Sequence, residues 1–298
     1  MLEPRVSVII PAYRSAKTIG RALRSISHQT LLPFEVVVVD DGSEDQTAAV
    51  AESLRSELGS ITLIVIKQEN MGAGAARNRA IMGSSGSLLA FLDADDEWLP
   101  TKLERSIEEL DKGGHSLVGH NSLIVDAGKE TLNNCARRFL APDDPYENLY
   151  RKGFIDTCTV VAKRDLVFSV GGFDETLRNA QDFDMWLAML KDPKETFLIF
   201  DDVLCRSHVT PRSIMSYTER RRSCALKIAV RYIFALQSRG IKWFPALCFR
   251  VLAIHYEALS AHWVRGRFIP AALILPKLLF ALVGALISVF YSKTYRPE

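Results

Sequence analysis

The chain has 298 residues, 48% of them apolar and 24% charged, which excludes an intrinsically disordered protein and leaves ample material for a core. Its formal net charge of +2 conceals two segments of opposite sign: residues 1–215 carry 24 Lys and Arg against 32 Asp and Glu, whereas residues 216–298 carry 13 against 3. The basic tail is also apolar, which favours a membrane surface over nucleic acid as its anionic partner.

The cysteines exclude two further classes of protein. The five are odd in number and show neither a CxxC pair nor Cys/His zinc spacing, which argues against a disulfide scaffold and a structural zinc site. The N-terminus passes directly into an apolar run without the basic and longer apolar regions of a signal peptide. We therefore expect small buried cysteines and a chain that faces a reducing compartment.

The first hundred residues alternate between strand-like and helix-like stretches. Apolar runs of strand length occur at Val6–Ile10, Phe34–Val39, Ile61–Ile66 and Leu88–Leu92. Apolar residues recur at helical spacing in two of the intervals between them, over 19–26 and 48–58. This β-α-β-α order predicts an α/β fold with a doubly wound, mainly parallel sheet and helices on both faces.

The pattern changes after Leu99. A charged helix is predicted over 101–112, and residues 115–163 mix short apolar runs with Asn, Asp and Pro, which favours a mixed sheet with loops. A helix over 181–190 and two short strands, near 197–200 and 203–208, complete this part. We interpret residues 1–100 and 101–215 as the two halves of one domain.

The tail, residues 216–298, is helical by pattern, with an apolar stripe over 225–236 and a stretch over 243–263 that is apolar almost all round. The last stretch, 268–291, has 24 residues and one charge, so at ~1.5 Å per residue it would reach about 36 Å, enough to cross a bilayer.

That charge, Lys277, stands with Pro270 and Pro276 inside the apolar stretch. Together they divide it into parts too short to span a membrane, which fits an interfacial or re-entrant element about as well as a transmembrane helix. A helix packed on the soluble domain is the third alternative. We favour membrane association without a clean span.

A cluster of carboxylates, Asp93-Ala94-Asp95-Asp96, follows the fourth predicted strand. Open α/β sheets bind ligands at the carboxyl ends of their strands, so a site is expected here. Asp93 and Asp95 would point to one face if the strand continues, and a hard divalent cation could take oxygen from either or both. The alternative is an acidic turn in which Asp95 or Asp96 caps the next helix.

Three further clusters follow the other strands. Pro11-Ala12-Tyr13-Arg14 offers backbone groups and an aromatic ring to a nucleobase, although an ordinary βα loop has the same pattern. Asp40 and Asp41 offer carboxylates to a base or ribose, and Ser43 or Asp45 is expected to cap the next helix. In the stretch 69–78, glycines permit close backbone approach, and Arg77 adds a cation near any phosphate.

The glycines at 72 and 74 resemble the start of a dinucleotide fingerprint. Arg77 stands where the third glycine is required, however, and the motif follows the third strand instead of the first. A dehydrogenase is therefore disfavoured.

Taken together, the motifs resemble the family-2 glycosyltransferases of GT-A fold. They are VSVIIPAY (6–13), VDDGSED (39–45), NxGxxxARN (70–78), LDADD (92–96) and QDFDMW (181–186). The resemblance covers roughly residues 5–215 and makes 1–100 the nucleotide-sugar half and 101–215 the acceptor half. It implies transfer of a sugar from a nucleotide diphosphate, with UDP expected as the nucleotide, with inversion at the anomeric carbon and with Mg²⁺ or Mn²⁺ as cofactor.

The resemblance also assigns roles to matching residues. It implies that Asp41 binds the nucleoside, Asp93 the ribose or donor sugar and Asp95 the metal, and that Asp182 is the catalytic base. The residues expected to bind the donor are Pro11, Tyr13, Asp40, Asp41, Asn70, Gly72, Arg77 and Asp93. His208, in an RxH element followed by Ser213, is expected to complete the metal shell or approach the diphosphate, with a core histidine as the alternative.

The chain departs from the family pattern at two positions. Gln181 replaces a common Glu before the base, and Arg14 replaces a common Asn. Loss of a negative charge beside Asp182 lowers like-charge repulsion, so Gln181 does not argue against activity. Asp182 falls in the first turn of a predicted helix, whose N-terminus favours negative charge. Asp184 is the alternative candidate for the base, but two residues along a helix it points in a different direction. The register of the family motif selects Asp182.

We therefore expect an inverting glycosyltransferase at the cytoplasmic face of the cell membrane, acting on a glycan or lipid-linked acceptor in polysaccharide or glycolipid synthesis. Residues 216–298 would hold it there, peripherally or through a C-terminal membrane segment, and no nucleic acid partner is expected. A nucleotidyltransferase would need a Gly-rich Arg/Lys loop that residues 11–17 lack. A sugar-nucleotide binding protein without catalysis is disfavoured by the intact carboxylates at 41, 93, 95 and 182.

Overall fold

The computed structural model describes residues 5–140, 144–152, 154–210 and 217–294. In this part of the chain nine strands form one sheet. The strands are β1 (Val6–Ala12), β2 (Glu35–Asp41), β3 (Thr62–Gln68), β4 (Leu88–Phe91), β5 (Glu97–Trp98), β6 (Leu117–Asp126), β7 (Lys129–Asn133), β8 (Val161–Lys163) and β9 (Phe197–His208).

Helices cover the sheet and form the C-terminal part of the described chain. Those that accompany the sheet are α1 (Ile19–Ser27), α2 (Thr47–Ser53), α3 (Ala73–Met82), α4 (Lys102–Gly113), α5 (Pro145–Lys152), α6 (Arg164–Ser169) and α7 (Gln181–Met189). Those of the tail are α8 (Thr218–Arg231), α9 (Ile233–Ser238), α10 (Trp243–Val264), α11 (Phe268–Ala272) and α12 (Ile274–Thr294).

The strand order is β3-β2-β1-β4-β8-β6-β9-β5, with β7 paired to β6. The first four strands are parallel, β8 runs antiparallel to both β4 and β6, and β9 is parallel to β6. This confirms the predicted α/β class with a mixed sheet. Both predicted halves contribute strands to the same sheet, so the cleft at its carboxyl edge can draw residues from each.

Side chains along the central strands point alternately to the two faces of the sheet, and both faces are apolar, which explains why helices cover both. In β1, Val8 and Ile10 pack into one core cluster with α1 and α4, whereas Ile9 packs into the other with α3 and α7. All seven residues of β2 are buried. A central parallel strand that is covered on both faces needs such a continuous apolar run, and this run is what predicts the strand from the sequence.

The acidic turn after β4 does not cap a helix, contrary to the alternative considered for Asp95 and Asp96. Trp98 lies in β5, which pairs with β9, and α4 begins only at Lys102 with Thr101 at its N-cap. The two strands predicted between 197 and 208 form one strand, β9, with a register irregularity where it passes β6.

The apolar end of the tail is broken at Leu273, between α11 and α12. The break comes five residues after the stretch begins, so α12 keeps 21 residues and is not divided into short parts. Pro276 falls in the first turn of α12, where a missing N–H costs little. By length and composition the segment Phe268–Ile287 is able to cross a membrane, and 17% of its most apolar window is buried.

Lys277, the charge within that segment, pairs with Glu219 of α8 at 3.0 Å. His262 of α10 lies 3.3 Å from the same carboxylate, and Arg222 lies 3.2 Å from it. Burial acts to raise the pKa of Glu219, but its hydrogen bonds to Lys277 and His262 outweigh this and hold it below its usual range. One carboxylate thus joins three helices of the tail.

Candidate active site

A cleft of about 1180 Å³ opens at the carboxyl ends of β1, β2 and β4. Nine of the eleven residues predicted to bind donor or metal or to act as base line it: Pro11, Tyr13, Asp41, Asn70, Gly72, Arg77, Asp93, Asp95 and Asp182. Asp40 and His208 are not among the residues of the described chain that line it. The parallel topology explains this convergence, because strand ends that are far apart in sequence meet at one edge.

Asp41 holds the glycine loop in place. Its Oδ1 accepts hydrogen bonds from Gln68 Nε2 at 2.8 Å and the Met71 amide at 2.9 Å, and its Oδ2 accepts one from the Gly72 amide at 2.8 Å. Asn70 Nδ2 donates to the Asp41 carbonyl at 3.0 Å. The residue predicted to bind a nucleoside therefore also shapes the loop beside it.

Asp40 is buried beside the cleft without lining it and accepts the Ser43 amide at 3.0 Å. Ser43 in turn accepts the Arg14 amide at 2.8 Å, which fastens the loop after β1 to the loop after β2. Tyr13 is 45% exposed at this junction and lines the cleft. The two loops form the walls of a pocket of the kind that a nucleobase and ribose need.

The carboxylates after β4 have different surroundings. Asp93 pairs with Arg77 at 2.6 Å, and Asp95 Oδ2 accepts the Thr210 hydroxyl at 2.8 Å. Asp96 is buried behind them, where Oδ1 accepts the His208 amide and Oδ2 the Cys158 thiol, both at 2.8 Å. Asp93 and Asp95 thus face the cleft, whereas Asp96 supports the turn.

Repulsion among these carboxylates is only partly compensated. Burial and the charge of Asp93 raise the pKa of Asp95, and the same two causes raise the pKa of Asp96 well above its usual range. Arg77 is buried, and burial opposes its charge, but Asp93 and Asp182 raise its pKa, so it stays a cation. A cluster of oxygen ligands with unbalanced negative charge fits a divalent ion such as Mg²⁺ or Mn²⁺.

Another possible ligand set is Asp93, Asp96 and Cys158, whose donor atoms lie within 4.8 Å of one another. It suits a hard cation poorly, because burial raises the pKa of Cys158 well above its usual range and the protonated thiol already donates to Asp96. The ring of His208 lies 3.3 Å from Glu97 and would have to leave it to reach an ion at Asp95. The pair Asp93 and Asp95, which is partly buried and lines the cleft, fits better.

Asp182 and Asp184, the two candidates for a base, are separated by the fold. Asp182, in the first turn of α7, lines the cleft and accepts the Thr157 hydroxyl at 3.1 Å. Asp184 is buried on the other side, bound to Arg231 at 2.8 Å and to the Tyr232 hydroxyl at 3.0 Å. Of the pair, only Asp182 is available to a ligand in the cleft.

The tail contributes residues that the motifs did not reveal. Arg220 and Arg221 of α8 and Arg250 and Glu257 of α10 line the same cleft. The sequence pattern predicts a membrane-associating role for residues 216–298 and no residue of the site. A faint signal was present, since Arg250 is a lone cation inside a stretch that is otherwise apolar almost all round.

Comparison with known proteins agrees with this geometry. The family model named "Glycosyl transferase family 2" matches residues 7–170, more than half of the chain. The chain belongs to glycosyltransferase family 2. A relative from Rickettsia typhi, named as an uncharacterized glycosyltransferase, is 32% identical over 218 residues, or 70% of this chain and 64% of the relative. The chain thus spans less than two thirds of that relative's length.

A second relative has a more specific name. The UDP-Glc:alpha-D-GlcNAc-diphosphoundecaprenol beta-1,3-glucosyltransferase WfgD of Escherichia coli is 34% identical over 189 residues, or 63% of this chain and 70% of the relative.

Two solved structures share the fold. Residues 1–349 of S. aureus TarS, in complex with UDP-GlcNAc, superpose with a TM-score of 0.62 at 20% identity, over 91% of this chain and 90% of that one. The mannosyltransferase PcManGT of Pyrobaculum calidifontis, in complex with GDP-Man and Mn²⁺, gives a TM-score of 0.61 at 21% identity, over 97% and 88%. The predicted GT-A type fold is confirmed.

Proposed function

We propose that this protein is an inverting glycosyltransferase that moves a sugar from a nucleotide diphosphate, in first place a UDP-sugar, to a hydroxyl of a glycan or lipid-linked acceptor. The observation that carries the proposal is the convergence of Asp41, Asp93, Asp95 and Asp182 on one cleft from three separate parts of the chain. Nucleotide sugars in two structures of the same fold and a lipid-linked substrate in the name of one relative support it.

The donor would lie along the strand ends. Tyr13 and the loop held by Asp41 would enclose the nucleoside, and the backbone at Gly72, which adopts φ 98°, allows a phosphate to come close because no Cβ projects there. Asp93 would hold ribose or the donor sugar with the oxygen that Arg77 leaves free.

Asp95, with Asp93 beside it, would hold Mg²⁺ or Mn²⁺. A bound divalent ion would neutralise the charge that grows on the diphosphate as it leaves. Arg77 stays close, fixed by Asp93, and adds a permanent positive charge on the same side of the cleft.

Asp182 would take the proton of the acceptor hydroxyl as that hydroxyl attacks the anomeric carbon. The acceptor must be deprotonated on the face opposite the leaving diphosphate, and this arrangement produces inversion. The Thr157 hydroxyl donates to Asp182 Oδ2 at 3.1 Å and the Phe183 amide donates to Oδ1 at 2.8 Å, so both oxygens are held in position, and each keeps a lone pair that can accept the acceptor's proton. The amide of Gln181 adds no charge that would compete for that proton.

The tail would place the cleft at the cytoplasmic face of a membrane. Large apolar side chains of α10, α11 and α12 are exposed, among them Trp263, Phe268, Leu279 and Phe280. An apolar surface of this extent next to a basic segment suits an anionic lipid surface. A lipid-linked acceptor would then reach the cleft from the bilayer.

A thermal-shift screen of nucleotide sugars with Mn²⁺ tests the donor and metal assignments. A donor present at about 100 times its Kd should stabilise the fold by about 2.7 kcal/mol through mass action. Asp95→Ala should remove the part of this shift that depends on Mn²⁺. Asp111→Ala, an exposed carboxylate on α4, is the matched control and should behave like wild type.

EDTA provides the second arm of this experiment. It should abolish both the Mn²⁺-dependent shift and the release of nucleotide during transfer. Unchanged donor binding and transfer in EDTA would contradict the metal assignment. Failure of every nucleotide sugar to shift the wild-type protein would contradict the proposed function itself.

A further inference from the structure

Arg250 is a buried cation without a matching anion. Its side chain is 96% buried, since the residue is 4% exposed, and it makes no hydrogen bond or ion pair with the residues that the structure describes. Burial lowers the pKa of its guanidinium, and Glu257 only partly offsets this. An unpaired buried charge destabilises a fold, so its presence calls for a compensating ligand or function.

The position of Arg250 indicates where in the cleft an anion would bind. Its guanidinium lies 4.5 Å from the centre of the Phe183 ring, the residue next to Asp182, and it lines the cleft. The ring contact fixes one face of the guanidinium and leaves its in-plane N–H groups free to bind an anion. Any such anion would lie close to the proposed base and therefore to the reacting hydroxyl.

Two more arginines of the tail line the cleft. Arg221 is near enough to lower the pKa of Arg250 by repulsion, and its own charge is met by Glu257 at 3.2 Å. Arg220 is exposed, lies against the Tyr217 ring at 4.8 Å and has no ion pair among the described residues. The tail thus lines the cleft with three arginines and one carboxylate, Glu257, so its contribution to the cleft wall keeps net positive charge.

We propose that Arg250, with Arg220 and Arg221, forms a subsite for a phosphate or diphosphate group of the acceptor, close to the acceptor's reacting sugar. The inference rests on the proposed function and extends it to the chemistry of the acceptor. The donor diphosphate would take a different set of residues, Gly72, Arg77 and Asp95, so the two anions would not share ligands. Guanidinium groups suit this task because they bind phosphate oxygens in pairs.

Farnesyl diphosphate is a suitable probe, measured by titration calorimetry with the donor site blocked by saturating UDP and Mn²⁺. Wild type should bind it, inorganic pyrophosphate should bind more weakly, and farnesol should not bind. Arg250→Met should raise the Kd for farnesyl diphosphate at least about tenfold, since charge-assisted hydrogen bonds are lost. Arg250→Lys keeps the positive charge, so its Kd for farnesyl diphosphate should lie between those of wild type and Arg250→Met.

Arg151→Met is the matched control. Arg151 also stacks on an aromatic ring, that of Phe249 at 4.4 Å, but it pairs with Glu147 and does not line the cleft. This variant should bind farnesyl diphosphate within about twofold of wild type, because no ligand contact is removed. All variants should bind UDP and Mn²⁺ as wild type does.

Stability separates a ligand role from a structural one. If Arg250 is kept for an anion, Arg250→Met should melt at or above the wild-type temperature, because an unpaired buried charge is removed. Arg220→Met, at an exposed position, gives a second test that folding cannot obscure and should weaken farnesyl diphosphate binding several-fold.

Three results would overturn the proposal. The first is wild-type affinity for farnesyl diphosphate in both Arg250→Met and Arg220→Met, and the second is binding of farnesol as tight as that of farnesyl diphosphate. The third is a loss of UDP binding in Arg250→Met, which would assign Arg250 to the donor site. A wild-type protein that binds farnesyl diphosphate but no nucleotide would refute the proposed transfer and leave the anion subsite standing.

Discussion

Asp182 and Asp184 show how strongly the surroundings of a single residue decide what it can do. Two positions apart on α7, one carboxylate faces a wide cleft and the other is bound by Arg231 and Tyr232. The helical rotation of about 200° between them is enough to leave one carboxylate open to the cleft and to tie the other into the fold.

Replacing each by asparagine should therefore give opposite results. Asp182→Asn should lower kcat by about 10²–10⁴ with little change in Tm, since general-base catalysis contributes that much. Asp184→Asn should reduce stability by about 1–3 kcal/mol through weakened charged hydrogen bonds and leave the folded enzyme active. Transfer assays and melting curves on both variants measure this, and retained turnover in Asp182→Asn would remove it as the base.

Lys102 is a second residue whose surroundings set its chemistry. It is fully buried against Trp98, with Nζ 4.2 Å from the ring centre and no hydrogen-bond partner among the described residues. Burial lowers its pKa from 10.5 to about 7. Between pH 7 and about 10 the unfolded chain therefore binds more protons at this site than the folded one, so stability should rise with pH across that window.

Lys102→Met should abolish that rise and raise the free energy of unfolding at pH 7 by on the order of 4 kcal/mol, since the pKa falls from 10.5 to about 7 and one pKa unit corresponds to ~1.4 kcal/mol. Lys112→Met, at an exposed position of the same helix, is the control and should keep the wild-type slope. Urea unfolding at pH 7 and 9.5 measures both. An unchanged slope in Lys102→Met would show that another group causes the pH dependence.

The loops after β2 and β3 act together at the scale of structural elements. Gly42 has φ 73°, and a Cβ there would lie 2.7 Å from the Asn70 amide nitrogen. Close approach of the two loops is what lets the Asp41 carboxylate hold Met71 and Gly72. The conformation of the glycine loop thus depends on a residue in a different loop.

Gly42→Ala should displace the loop at 70–72 and weaken donor binding, in addition to a strain of about 1–2 kcal/mol from the positive φ. Gly59→Ala is the matched control, because Gly59 has φ 60° but nothing within 4 Å of the added Cβ. Both variants should lose stability through the positive φ, and only Gly42→Ala should lose affinity for UDP and Mn²⁺ in calorimetry. Equal affinities would show that the loop does not shape the donor site.

On the scale of the whole molecule, an acidic sheet domain and a basic helical tail meet across one cleft. The sheet supplies the carboxylates at 93, 95 and 182, and α8 and α10 supply arginines. Helix α10 packs against α5, α8 and α12, so the tail is continuous with the core of the fold.

Membrane association is the prediction at this scale. Leu279 and Phe280 of α12 are 68% and 80% exposed, and replacing both by Glu should abolish co-flotation with phosphatidylglycerol vesicles, because charges resist entry into the lipid interface. Leu140→Glu, at a residue 79% exposed outside the tail, should leave flotation unchanged. Vesicle binding by the α12 variant equal to wild type would contradict a lipid-facing role of this helix.

Much of this architecture was predictable from the sequence, for physical reasons that differ between elements. The runs that became β1, β2 and β4 are buried on both faces, and their polar ends meet by a topological rule, so Asp41, Asp93 and Asp95 could be placed together. The pairing of Trp98 with β9 could not be predicted, since a two-residue strand has no periodicity. Nor could Arg250 be oriented, because a helix that is apolar all round has no distinguishable face.

The shared carboxylate of Glu219 has a further mechanical consequence. It joins α8 to Lys277 at the start of α12 and to His262 near the end of α10, while Arg220, the next residue along α8, faces the cleft. If α12 rests on a lipid surface, this joint sets the height of the cleft above the bilayer. The distance from the membrane to Asp182 would then be fixed by the contacts of Glu219, and this distance would set how long an acceptor must be to reach the cleft.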